Sequence, residues 1–140
     1  MRALLFHEPW SIGIIGCRAR DTDADLALVE EALMSIYSPG DTLVSGGCVK
    51  GADRFAEVLA ARLGAPLTLH LPDKTALDQR LLERNPRAAY AQINYDRNTL
   101  VARDSVNALI ACVAPDRKGG TEDTIKKWAR MHPQGELILV

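Results

Sequence analysis

From Ser11 onward, short apolar runs alternate with stretches in which apolar residues recur every three or four positions. Ile12-Gly13-Ile14-Ile15-Gly16 is apolar on both faces and predicts an inner strand of a parallel sheet. Thr42-Leu43-Val44 and Leu67-Thr68-Leu69 predict two more strands, and the runs from Val106 to Val113 and from Leu137 to Val140 complete the set. Leu26, Val29, Leu33 and Ile36 keep helical spacing behind Asp21 and Asp23, which suit a helix start. Phe55, Val58, Leu59 and Leu63 make a second stripe, closed by Gly64. The third helical region is divided by Asn85-Pro86, a cap followed by a first-turn proline, and so predicts a loop with a short helix and then a longer one. On that longer helix Tyr90, Ile93, Arg97, Leu100 and Val101 share one face, which draws Arg97 toward the core or a pocket at its edge, and Asp104 reads as a cap at the exit. Ile125, Trp128 and Ala129 supply the inner face of the last helix. Strands alternating with helices predict an α/β fold, a parallel sheet in three layers joined by right-handed crossovers. No linker, repeat or low-complexity tract divides residues 1–140, which predicts one domain. Met1 to Trp10 reads either as an edge strand or as an arm packing Phe6 and Trp10 on a neighbour.

At 140 residues, 47% of them hydrophobic, the chain can bury a core without disulfide or metal staples. Its 17 basic residues balance 18 acidic ones, so it exerts no global attraction on nucleic acid, and any anion site must be local. No apolar run approaches a membrane span, and His7 and Glu8 break the opening apolar stretch, which argues against a signal peptide; a cytoplasmic protein is expected. Cys17, Cys48 and Cys112 are odd in number and lack CxxC spacing. Together with His70 each lies at or just beyond the end of a different strand, which would allow a zinc site, but no pair has the close spacing of one, so free thiols and no metal are expected.

In an open parallel sheet, ligands bind beyond the carboxyl ends of the strands. Here those ends carry Gly16-Cys17-Arg18, Ser45-Gly46-Gly47-Cys48-Val49-Lys50-Gly51-Ala52-Asp53 and Asp116-Arg117-Lys118-Gly119-Gly120-Thr121. Two glycine-rich turns thus open two helices. Each is either turn punctuation or a phosphate cradle of free N–H groups at a positive helix end. GxGxxG and GxxxxGK[ST] are both absent, which speaks against dinucleotide dehydrogenation and P-loop ATP hydrolysis. Asp53 suits the start of its helix whether or not it touches ligand. Arg18 is either a solvated turn residue or an anion contact, and Asn98 is expected to be buried and bonded to backbone.

The string from Val44 to Glu57, with Gly16-Cys17-Arg18 before it and Arg97-Asn98 and Gly119-Gly120-Thr121 after it, resembles the SLOG superfamily, closest to its YspA-like branch. That superfamily includes the Lonely Guy phosphoribohydrolases and the Rossmann-like domain of the DNA-processing protein A family. The resemblance implies a Rossmann-like domain binding a nucleotide or nucleotide-derived ligand, as a sensor or adaptor that requires no cofactor, with a homo-oligomer as the expected assembly. It implies ligand contacts from Gly16, Arg18, Ser45, Gly46, Gly47, Lys50, Gly51, Asp53, Arg97, Asn98, Gly119, Gly120 and Thr121. Where Lonely Guy enzymes carry PGGxGTxxE, this chain has Lys118 in place of the proline, a shortened GGT turn and Thr124 in place of the glutamate. Hydrolysis of a nucleotide N-glycosidic bond would then fall to Glu122 or Asp123, which equally suit the first turn of a helix, or to Asp53. Single-strand DNA binding is a third implied function, with little aromatic surface to support it.

Overall fold

A computed structural model describes residues 8–47 and 51–140. Five strands, β1 (Ser11–Gly16), β2 (Thr42–Ser45), β3 (Leu67–Leu69), β4 (Ala108–Cys112) and β5 (Glu136–Leu139), form one all-parallel sheet in the order β3-β2-β1-β4-β5. The first strand, read as apolar on both faces, is therefore central. The chain winds outward from β1 through β2 and β3 on one side and continues through β4 and β5 on the other, so the switch point where open α/β sheets form a crevice lies between β1 and β4.

Helices cover both faces. On one side α1 (Asp23–Met34) and α2 (Ala52–Leu63) close over Ile12, Ile14, Leu43, Ile110 and Cys112, with Val29, Leu33, Phe55 and Leu59 contributed by the helices. On the other, α4 (Pro86–Asp104) and α5 (Gly120–Met131) close over Ile15, Val44, Leu109 and Ala111 with Val101, Ala102, Ile125 and Trp128. The short α3 (Gln79–Arg84) packs on α4. The alternate residues of each strand thus enter two cores, which is why the strand sequences read as continuously apolar. Gly13 is a glycine for lack of space, since a Cβ there would stand 2.1 Å from Ser105 Oγ and 2.8 Å from a Leu109 methyl. That fit lets the end of α4 rest on the central strand.

Helix ends follow their local chemistry. The cap of α1 is Thr22, whose side chain accepts from Asp25 N while the Asp25 carboxylate accepts from Thr22 N, a reciprocal capping box rather than an aspartate cap. Asn85 caps α4 by accepting from Ala88 N, and Pro86 takes the first helical position where no N–H is needed. Three expected positions differ. Tyr90 is 45% exposed, because the inward face of α4 runs through Ala89, Ile93, Val101 and Ala102. Ala129 is exposed beside the buried Trp128. Val106 lies outside β4 and is exposed, since Asn107 turns its carboxamide oxygen to accept from Ser11 N and starts the pairing there. Among the described residues, no helix is long and apolar enough to cross a membrane.

Candidate functional site

Above the switch point lies a cavity of about 390 Å³, within the size range of small-molecule sites. Its walls come from the segment Gly16-Cys17-Arg18 after β1, from Gly46 after β2, from Asp53 on the first turn of α2, from one face of α4, and from Lys118 to Thr121 at the start of α5. Ile15, Val101 and Thr124 also line it.

The two helices that open onto this edge begin alike. Gly51 precedes α2 with φ 75° and ψ −158°, and Gly119 precedes α5 with φ 103° and ψ −160°, a backbone region essentially closed to any residue with a Cβ. Neither helix has a side-chain cap on its first N–H groups. The first N–H groups and the positive end of the α5 dipole therefore face the cavity, which Gly119, Gly120 and Thr121 line.

Around the β2 turn the glycines and polar groups interlock. The Arg97 guanidinium crosses over Gly46 and donates through Nη1 to its carbonyl, while Nε donates to Asn98 Oδ1 at 3.0 Å. A Cβ on Gly46 would lie 2.7 Å from Arg97 Nη1 and 3.1 Å from Asp53 Oδ2, so glycine leaves room for both charged groups. The Asn98 carboxamide is buried and its Nδ2 faces Gly120 O at 3.5 Å, tying α4 to the first turn of α5. Backbone bonding of Asn98 is thus as expected, and Arg97 does reach the pocket edge.

Other residues of the string hold the turn. Ser45 is fully buried; its hydroxyl donates to Asp53 O and accepts from Gly47 N. A Cβ on Gly47 would press on Leu71 and Leu69, away from the cavity walls. Gly51 donates its N–H to Asp21 Oδ1 and lies so close to Cys17 that a Cβ would stand 2.5 Å from the Cys17 carbonyl oxygen. Asp21, read from the sequence as part of the start of α1, instead joins the loop after β1 to α2, where it also pairs with Arg54. Ser45, Gly47 and Gly51 shape the wall without being part of it. Lys50 and Cys48 lie outside the described residues, as does Phe6.

Among the acidic candidates, Asp53 lines the cavity and Glu122 does not: Glu122 is gripped by Arg117 through two contacts of 2.8 and 3.0 Å. Arg18 lines the cavity, is exposed, and has no ion-pair partner among the described residues; the same holds for Lys118. Asn94 and Tyr95 are wall residues absent from the sequence-based candidates, and Lys118, noted there only as a departure from PGGxGTxxE, is a third. The first two follow Ala91 at helical spacing and precede Asn98 by four and three positions, a signal hidden because the stripe is polar.

His70 and Cys112 are engaged elsewhere. His70 Nε2 lies 2.6 Å from Asp104 Oδ2, and the Arg103 guanidinium beside Asp104 holds that carboxyl below its ordinary range. Asp104 is thus an ion-pair centre, not a simple helix cap. Cys112 is buried in the α1–α2 core, and burial pushes its thiol up to about 11. At pH 8 that leaves about one thiolate in a thousand. Cys17 lines the cavity and is partly exposed. Iodoacetamide at pH 8 is therefore expected to label Cys17 in the native protein and Cys112 only after denaturation, as read by peptide mass spectrometry. Labelling of both at equal rates in native protein would contradict this placement.

A scan of protein-family models, a search of curated proteins and a search of solved structures each find no match to this chain.

Proposed function

We propose that the protein binds a nucleotide or nucleotide-derived ligand in this cavity, as a sensor or adaptor. The observation that carries the reading is the convergence on one cavity of the uncapped first turn of α5, the first turn of α2 and the cations Arg18 and Lys118, which have no ion-pair partner among the described residues. A phosphate fits the α5 turn, where backbone N–H groups can donate to it and both cations can neutralise it. Sugar and base then extend along α4, where Asn94, Asn98 and Tyr95 offer amides and a ring.

Hydrolysis of an N-glycosidic bond needs a carboxylate beside the anomeric carbon to stabilise an oxocarbenium-like transition state. Asp53 is the sole carboxylate lining the cavity among the described residues, and it is buried on the first turn of α2, beside Gly46 and the Arg97 guanidinium. That environment favours a carboxylate serving the turn, and no free base is expected from nucleoside monophosphates incubated with the protein.

Thermal denaturation with adenosine, adenosine 5′-monophosphate and the other nucleoside monophosphates tests the proposal. A ligand at about 100 times its dissociation constant adds about 2.7 kcal/mol of stability. Stabilisation by phosphorylated ligands and not by adenosine is expected; no stabilisation by any phosphorylated ligand would overturn the reading.

A further inference from the structure

Resting on the nucleotide-binding reading above, we infer that the cavity selects a sugar with free vicinal hydroxyls, ribose rather than dideoxyribose, and that Asn98 and Thr124 are the residues that read it. Three polar side chains in the cavity wall are more than nine-tenths buried: Asp53, Asn98 and Thr124, at 8, 8 and 3% exposure. Asp53 stands at the β2 turn beside Arg97. The other two flank a single atom, the carbonyl oxygen of Gly120 in the first turn of α5. Thr124 donates to it through Oγ1 at 3.0 Å, and Asn98 faces it through Nδ2 at 3.5 Å.

Each of these two side chains keeps one hydrogen-bonding function unused among the described residues. The Arg97 guanidinium has only donors, so the Asn98 atom that accepts from its Nε is the oxygen, and the amide nitrogen is turned the other way. That nitrogen carries two hydrogens, and its one acceptor is Gly120 O, at the far limit of a hydrogen bond. The Thr124 hydroxyl spends its hydrogen on Gly120 O and retains its acceptor lone pairs. A buried donor and a buried acceptor thus stand side by side in the wall, and leaving either unpaired costs stability.

Position and chemistry together choose the group that satisfies them. With phosphate on the first N–H groups of α5, Thr124 lies one helical turn further on, about 5.4 Å away. In a 5′-nucleotide the group at that reach from the phosphate is the sugar, and the base lies beyond it. A phosphate oxygen suits Asn98 but meets the lone pairs of Thr124. A vicinal diol suits both: one hydroxyl accepts from Asn98 Nδ2 while its neighbour donates to Thr124 Oγ1. Ile15 and Val101, also in the wall, suit the carbon skeleton of the ring.

Calorimetric titration of the wild-type chain, Thr124→Val and Asn98→Ala with adenosine 5′-monophosphate, its 2′,3′-dideoxy analogue, ribose 5-phosphate and inorganic phosphate tests this. The wild type should bind adenosine 5′-monophosphate at least about tenfold more tightly than the dideoxy analogue, because the analogue leaves both buried groups unpaired. Thr124→Val keeps the shape of the side chain and loses the acceptor. It should cut that ratio to about threefold or less while leaving the affinities for the analogue and for inorganic phosphate within about threefold, and Asn98→Ala should do the same. Equal affinity of the wild type for the nucleotide and its dideoxy analogue would overturn the inference while leaving the nucleotide site intact. A ratio unchanged in both variants would also overturn it, and would make the two residues supports of the α5 turn or contacts to phosphate. Ribose 5-phosphate binding as tightly as the nucleotide would support the sugar contact and remove the base from the reading above. Binding of no phosphorylated probe by the wild type would remove that reading and this inference with it.

Discussion

Gly51→Ala is expected to lower the free energy of unfolding by about 3 kcal/mol or more, and Gly119→Ala by about 1 to 2 kcal/mol, although the two glycines have nearly the same backbone conformation. Each substitution forces a Cβ into a region reserved for glycine, φ 75° and ψ −158° at one site, φ 103° and ψ −160° at the other. That strain is the whole cost at Gly119, around which an added Cβ meets nothing within 4 Å. At Gly51 the same atom would lie 2.5 Å from the backbone oxygen of Cys17, and a carbonyl in the loop after the central strand cannot swing aside like the tip of a side chain. Relief requires α2 and that loop to separate, which also stretches the bond from Gly51 N to Asp21. Urea denaturation of the two variants measures the difference directly. Equal losses would mean that the contact with Cys17 carries no energy and that the two turns are independent.

Arg18→Ala should weaken nucleotide binding by about 1.5 to 3 kcal/mol, the worth of a hydrogen bond to a charged group, while leaving the stability of the unliganded protein unchanged within about 0.5 kcal/mol. Both halves follow from one observation. Arg18 lines the cavity and is exposed, and no described residue pairs with its charge. Arg18→Lys keeps the charge and loses the two-pronged geometry, and should bind with intermediate affinity. Calorimetric titration beside melting curves separates the two effects. Unchanged affinity, or a large loss of stability without ligand, would return Arg18 to the role of a turn residue.

The layers of the fold were legible because burial on both faces leaves a strand with no polar positions, and β1 and β4 show that plainly. Helix faces were legible only to within a residue. Tyr90 and Ala129 each sit one position from a buried residue, and periodicity read from a few apolar side chains does not fix the phase of a helix more finely. The site was legible as a set of turns at strand ends, since the glycines mark where backbone must approach something closely. What they approach could not be read. Gly46 makes room for Arg97, Gly51 for the Cys17 carbonyl, and Gly119 for nothing within 4 Å, yet all three look alike in the sequence. Ser45, expected among the ligand contacts, joins the β2 turn to α2 through its hydroxyl, a role no pattern in the sequence marks. Asn94 and Tyr95 escaped notice for the opposite reason: they lie on a polar stripe, and hydrophobic patterning is blind to it.

The claim that an anion sits at the start of α5 is tested most directly by titrating the ¹⁵N-labelled protein with adenosine 5′-monophosphate and following the backbone amide resonances. Hydrogen bonding to phosphate moves the amides that donate to it. The largest shifts are expected at Gly119, Gly120 and Thr121, with smaller ones at Gly46 and Arg18, and inorganic phosphate should reproduce the α5 shifts alone. Shifts confined to another surface, or none at saturating nucleotide, would contradict the account.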